Sequence, residues 1–290
     1  NFRNAKAVAH TTDFRRATGE GPNFQGADLR EVSFQNAVIS NANFENTNLT
    51  KATISGADIR GSSFEGSNME EANLYRATLL DSQFPKTNLK NARLDAMKVS
   101  DKTDFSKSDL TQASVMDVDL TAADFSKANL TRANFSRSLM ANSDLRKATI
   151  VKTDFTACNL IAANFKGVDL VDVNFAKAGL SQANFSGVEF NNVNLQDADL
   201  SLTTFNDVDL SKTQLQKAKF AQSTVKNMKF DNQDLTGVIF DKGSVAKNSF
   251  VKTKLSKASF YDTEVSKNAF QNAELLKAVF DGAYVRKNIF

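Results

Sequence analysis

The sequence predicts an all-β solenoid whose chain turns a corner every five residues. Three observations predict it. Centres placed every five residues from Phe14 to Val99, and again from Phe105 to Phe290, mark 56 positions. Of these, 55 are Phe, Leu, Ile, Val or Met, and only Gly19 is not. Of the 24 phenylalanines, 23 fall on this phase, with Phe2 the exception, where chance places about one in five.

The flanking positions agree with that reading. Two residues before the centre the chain is small, as at Ala123, Ala128, Ala133, Ala163, Ala178 and Ala183, which suits a second inward site in a narrow core. One residue before, Asp124, Asn129, Asn134, Asn164 and Asp169 are of the kind that bonds to nearby backbone and tolerates turns. The two residues after the centre are mostly polar and read as outward. A period of five matches neither the 3.6 of a helix nor the 2 of a flat strand.

A twenty-residue period sets the number of sides at four. Phe24, Phe44, Phe64 and Phe84 form one column, continued as Phe105, Phe125, Leu145, Phe165, Phe185 and Phe205. Nearer the C-terminus, Val225, Val245, Val265 and Val285 form one column and Phe230, Phe250, Phe270 and Phe290 the next. Leu235, Leu255 and Leu275 form the third, and Phe240, Phe260 and Phe280 the fourth. Four pentads per coil make about 14 coils.

Ala123-Asp124-Phe125-Ser126-Lys127, Ala128-Asn129-Leu130-Thr131-Arg132 and Ala183-Asn184-Phe185-Ser186-Gly187 resemble the A(D/N)LXX unit of the pentapeptide-repeat family. The resemblance runs from about Phe14 to Phe290. It implies a right-handed quadrilateral β-helix with 20-residue coils.

Residues 1–13 read as an irregular lead-in, and 14–290 as one continuous solenoid domain, since no linker interrupts the repeat. Six residues separate Val99 from Phe105, so a one-residue insertion is expected in 100–104, as a local bulge. The Phe-rich columns change sides near 205–220, which reads as a phase change in core packing. Because the repeat stops at a centre residue, Phe290, the natural polypeptide is expected to extend further, or a partner to cover the end.

Composition excludes several function classes. One Cys and one His cannot build a zinc site, and His10 lies in the lead-in, apart from any nucleophile. Neither a phosphate-binding loop nor a dinucleotide fingerprint is present. Aspartates before the centres follow from the repeat rule rather than from paired-carboxylate chemistry. The chain is therefore expected to be non-enzymatic, without cofactor or metal. Cys158 falls in a small inward slot and reads as buried. No apolar run approaches a membrane span of about 20 residues.

Charge singles out one candidate site. Residues 211–290 hold 14 Lys and Arg against 7 Asp and Glu, in a chain of formal charge +3. Lys247, Lys267 and Lys287 stand 20 apart and should form a stripe at ~4.8 Å per step, with Arg286 beside its end. These four cations are the candidate partner-binding residues, suited to an acidic protein or an anionic surface. Asn248, Asn268 and Asn288 form a second stripe, expected to be an amide ladder.

The expected function is a non-enzymatic interaction scaffold, with protein partners along a face or at an open end. Two alternatives stand beside it. Resemblance to the family suggests imitation of duplex DNA toward topoisomerases, which a net charge of +3 disfavours. The basic section could instead dock an anionic membrane or polymer. Specific nucleic-acid binding is not expected, since the aromatic rings point inward and none is left to stack on bases. Gly282-Ala283-Tyr284-Val285-Arg286-Lys287 and Lys6-Ala7-Val8-Ala9-His10 resemble stretches of cyanobacterial and thylakoid pentapeptide-repeat proteins. A cytoplasmic location is the first expectation, and a plastid or thylakoid one the alternative.

Overall fold

The computed structural model describes residues 1–6 and 12–290, so His10 and most of the Lys6–His10 phrase lie outside the described residues. The chain forms two compact units, Asn1–Asp154 and Phe155–Phe290. Both are wound from parallel β-bridged coils, and the described residues contain no helix. The turns number about 13, within one of the 14 expected.

In the first unit one coil pairs with the next on four successive sides. Asn23, Asp28, Ser33 and Val38 are bridged in parallel to Asn43, Asn48, Thr53 and Asp58, each 20 residues on. The step becomes 21 at Asn88↔Asp109 and Arg93↔Ser114, across the six-residue interval between Val99 and Phe105. The stack of rings is not interrupted there, since Phe84 and Phe105 lie 5.1 Å apart and nearly parallel.

The corner lies just after each centre. The Phe24 carbonyl accepts from Ala27 N–H at 2.9 Å, and the Phe34 carbonyl accepts from Ala37 N–H at the same distance. The residue between them has positive φ, as in a type II turn. Glycine fills that site at Gly26, but Asn36, Lys51, Lys107 and Arg132 fill it elsewhere with φ of 57°, 59°, 60° and 59°. A left-handed non-glycine residue costs ~1–2 kcal/mol, so coil-to-coil bonding must over-determine these corners. Asn or Asp before the centre adds a local brace: Asn43 Oδ1 accepts from Glu45 N–H at 2.8 Å, and Asp124 Oδ1 from Ser126 N–H at 2.7 Å.

The core is filled by columns of rings. Phe24, Phe44, Phe64 and Phe84 stack at 4.8–4.9 Å, and Phe34 meets Phe24 and Phe44 edge-on at 5.8 Å. Offset stacks and T-shaped contacts satisfy the ring quadrupoles better than face-to-face sandwiches. Alanines two before the centres, such as Ala52, Ala57 and Ala72, are fully buried between them. Phe2, off phase in the sequence, serves as a centre after all. It stacks on Phe24 at 5.0 Å, and its N–H donates to the Asn23 carbonyl. The start of the expected lead-in is therefore ordered as coil.

In the second unit the rings hand over from one pair of columns to another. Phe165, Phe185 and Phe205 stack along one column, and Phe220, Phe240 and Phe260 along another. Phe205 and Phe220 join them edge-on at 5.4 Å. The backbone ladder opens at the handover: among the described residues no backbone bond joins Phe190 to Asp209 or Leu210 to Lys229. Val208, in an alanine-type slot, is only half-buried here, and Gln233 sends Nε2 between the coils to the Leu210 carbonyl at 2.6 Å.

Candidate functional site

The candidate stripe lies in the second unit, on pentads centred at Val225, Val245, Val265 and Val285, which pair in register. Each centre lies within a three-residue strand: Thr224–Lys226, Ser244–Ala246, Glu264–Ser266 or Tyr284–Arg286. Asn227, Lys247, Lys267 and Lys287 follow as corner residues with φ of 56°, 58°, 57° and 53°. The three lysines are exposed and, among the described residues, none makes an ion pair.

What fixes the corners at Asn227, Lys247 and Lys267 is the asparagine ladder rather than the usual turn bond. Asn248 N–H donates to Asn268 Oδ1 at 2.8 Å, and Asn268 N–H to Asn288 Oδ1 at 2.8 Å. Their Nδ2 groups donate to the same oxygens at 3.1 Å. Each Nδ2 also donates to the valine carbonyl that the turn would otherwise use, Val225 for Asn248 and Val245 for Asn268, at 3.0 and 2.8 Å. One side chain thereby satisfies an amide and a carbonyl that burial would leave unpaired. Asn248 and Asn268 are 2% and 1% exposed, so the lysines stand on a dry, fully bonded footing. A shallow depression of about 420 Å³ runs beside them, lined by Lys229, Lys247, Asn248, Lys267, Asn268 and Lys287.

Arg286 does not extend the basic stripe. Its Nη2 contacts Glu264 Oε1 at 2.8 Å, and its guanidinium lies 5.3 Å from the Tyr284 ring centroid. The hydrogen bond from Arg286 holds the Glu264 carboxyl below its ordinary range. Its charge is thus answered locally, because Glu264 and Arg286 lie on adjacent bonded strands. The structure brings together Lys247, Lys267 and Lys287 and sets Arg286 apart from them.

The same period carries a second lysine corner that the charge count of 211–290 passed over. In the first unit Lys107, Lys127 and Lys147 follow the centres Phe105, Phe125 and Leu145, all exposed and left-handed. Asp104, Asp124 and Asp144 precede those centres and are bridged coil to coil. Scanning every pentad phase for charge at a spacing of 20 would have found both rows.

Among the described residues no group of three or more His, Cys, Asp or Glu could hold a metal, and Cys158 is buried. No helix among them is long and apolar enough to cross a membrane.

Comparison with known proteins bears on the fold. The Pentapeptide repeats family model matches residues 11–36, 27–66, 59–95, 169–207 and 183–222, in eight copies. The Pentapeptide repeat region model matches residues 108–185. No curated protein matches the chain. Among solved structures the chain is similar to QnrB1, a plasmid-mediated fluoroquinolone resistance protein, at 20% identity and a TM-score of 0.44, over 71% of this chain and 92% of that one. It is also similar to Rfr23 from the cyanobacterium Cyanothece 51142, at 25% identity and a TM-score of 0.29, over 32% and 60%. A pentapeptide repeat protein of the Arabidopsis thaliana thylakoid lumen is similar at 24% identity and a TM-score of 0.32, over 35% and 67%. With the repeat, the four-sided coils and both family models in agreement, the chain belongs to the pentapeptide-repeat family.

Proposed function

We propose that this chain is a non-catalytic docking scaffold whose second unit meets an acidic protein surface at Lys247, Lys267 and Lys287. The observation that carries this reading is that three ammonium groups without an ion pair among the described residues stand in one row, two of them, Lys247 and Lys267, on corners held by the asparagine ladder. Repulsion within such a row is relieved when an acidic partner covers it. Most apolar side chains are spent on the core, and outward positions are mainly polar or charged, with Val38, Leu139 and Leu202 among the exposed exceptions.

Imitation of duplex DNA is less well supported. Many outward carboxylates are already answered by arginines two residues on, as Asp28 by Arg30, Asp58 by Arg60 and Asp144 by Arg146. Such pairs interrupt the acidic surface wherever they occur.

The test is affinity capture with the native chain and with Lys247→Glu/Lys267→Glu/Lys287→Glu, at low and high salt. A partner held by the native chain at low salt and lost from the variant supports the reading. Identical captured sets from both chains would sink it.

A further inference from the structure

The face of the first unit centred on Phe105, Phe125 and Leu145 carries two rows of opposite charge. Asp104, Asp124 and Asp144 form one row, joined by parallel bridges Asp104↔Asp124 and Asp124↔Asp144. Lys107, Lys127 and Lys147 form the other, three residues further along each pentad. The aspartates stand on the flat side just before each corner and the lysines at the corner itself, and successive coils repeat each row every ~4.8 Å.

Within the molecule the rows do not answer one another. Among the described residues no ion pair joins these aspartates to these lysines, and Asp144 turns instead to Arg146. Asp104 and Asp124 each accept one backbone N–H through Oδ1, from Ser106 and Ser126 at 2.7 Å, which leaves Oδ2 outward. Asp104, Asp124 and the three lysines are therefore left without an ion pair among the described residues and face outward with the counter-row alongside, while Asp144 is answered by Arg146.

Such a face is complementary to itself in one orientation. A two-fold axis parallel to the coil axis reverses the lateral order of the rows and keeps their heights. Asp104, Asp124 and Asp144 of one copy then meet Lys107, Lys127 and Lys147 of the other, and the reverse. A two-fold axis across the coils reverses heights instead and sets like rows together. We propose that the first unit self-associates through this face as a parallel, in-register two-fold dimer of two copies of this chain. Closed two-fold pairing is the commonest oligomeric arrangement and demands a self-complementary patch of this kind.

The rest of the face permits the approach. Preceding coils present Gln25, Glu45, Glu65 and Pro85 after the centres, and the corners include Gly26, Asn46 and Gly66. A flat face running from Phe24 to Leu145 is about 30 Å long and ~15 Å wide, so two copies bury on the order of 900 Å². That area lies at the low end for specific association. The dimer is accordingly weak, and its charge pairs make it salt-sensitive.

Sedimentation equilibrium of the 290-residue chain tests the proposal. The native chain should dimerise at ~0.05 M salt and dissociate toward monomer at ~0.5 M, where the Debye length falls to a few ångströms. Lys107→Asp/Lys127→Asp/Lys147→Asp, with both rows acidic, should weaken dimerisation by at least ~10-fold. Aspartate tolerates the left-handed corner, so this variant keeps the fold, checked by far-UV circular dichroism. Asp104→Asn/Asp124→Asn/Asp144→Asn keeps the backbone brace, removes the charge of the row and releases Arg146 from Asp144, and should weaken the dimer likewise. Ser106→Cys on a Cys158→Ala background should cross-link to itself with a short thiol reagent, as parallel register requires. A chain monomeric at low salt and high concentration, a dimer indifferent to both triple variants, or a dimer in which position 106 never cross-links would each overturn the proposal.

Discussion

Asn268 Oδ1 accepts twice from Asn248, from its backbone N–H at 2.8 Å and from its Nδ2 at 3.1 Å. Asn268 in turn donates to the Val245 carbonyl at 2.8 Å. A side chain from the next coil has thus replaced the bond that closes a turn elsewhere. Serine does the same in the first unit, where Ser82 Oγ accepts from Ser62 N–H and donates to the Ile59 carbonyl.

Asn268→Ala should therefore leave a buried amide and a buried carbonyl unpaired and cost about 3 kcal/mol, measured by urea unfolding. Asn268→Ser should cost less, because a hydroxyl can serve both groups. Equal losses for Ala and Ser would show that the ladder only fills space.

Phe165 stacks on Phe185 at 5.2 Å and meets Phe175 edge-on at 5.7 Å. Phe165→Ala should cost about 3–5 kcal/mol, since coils above and below hold the cavity open. Phe165→Leu should cost only ~1 kcal/mol, as leucine serves as a centre throughout the chain. A loss below ~1 kcal/mol for alanine would mean that the column is not closely packed.

Amide exchange should locate the opened ladder. Leu210 N–H lacks the coil-to-coil bond that Leu180 N–H makes to the Asp199 carbonyl and Phe250 N–H to the Ala269 carbonyl, both at 2.7 Å. Leu210 and Phe190 should exchange faster than Leu180 and Phe250. Uniform protection across all four would contradict a break at Val208 and Gln233.

Acid should weaken the fold only late. Hydrogen bonds from Arg30 and Arg146 hold Asp28 and Asp144 below the ordinary carboxylate range. A depressed carboxyl contributes stability above its unfolded pKa of about 4, and that contribution disappears as pH falls through the lower folded value. Stability attributable to these groups should hold from pH 7 to about 5 and fall below about 4. These pairs are largely exposed, so Asp144→Asn should cost less than ~1 kcal/mol at pH 7, and progressively less as pH falls below about 4. A loss that grows as pH falls would reverse the assigned sign.

Much of the fold is legible in the sequence because a solenoid repeats its contacts locally: the residue inside Phe125 in one coil is answered by Phe105 one coil before. The five-residue phase alone places Phe24, Leu49 and Phe250 in the core and the lysines outside. Spacing of 20 also places Lys247, Lys267 and Lys287 in one row. Tertiary structure decided what pattern cannot express. It showed that Asn248 carries the turn, since a hydrogen bond depends on where an amide points and not on its type. It drew Arg286 away to Glu264, because cross-strand neighbours are chosen by distance between coils. It brought Phe2 onto Phe24 although the sequence between them breaks phase, since stacking asks only for coincidence in space. It opened the ladder beside Leu210, where Gln233 reaches the Leu210 carbonyl, a bond that depends on where the packed coils place the amide.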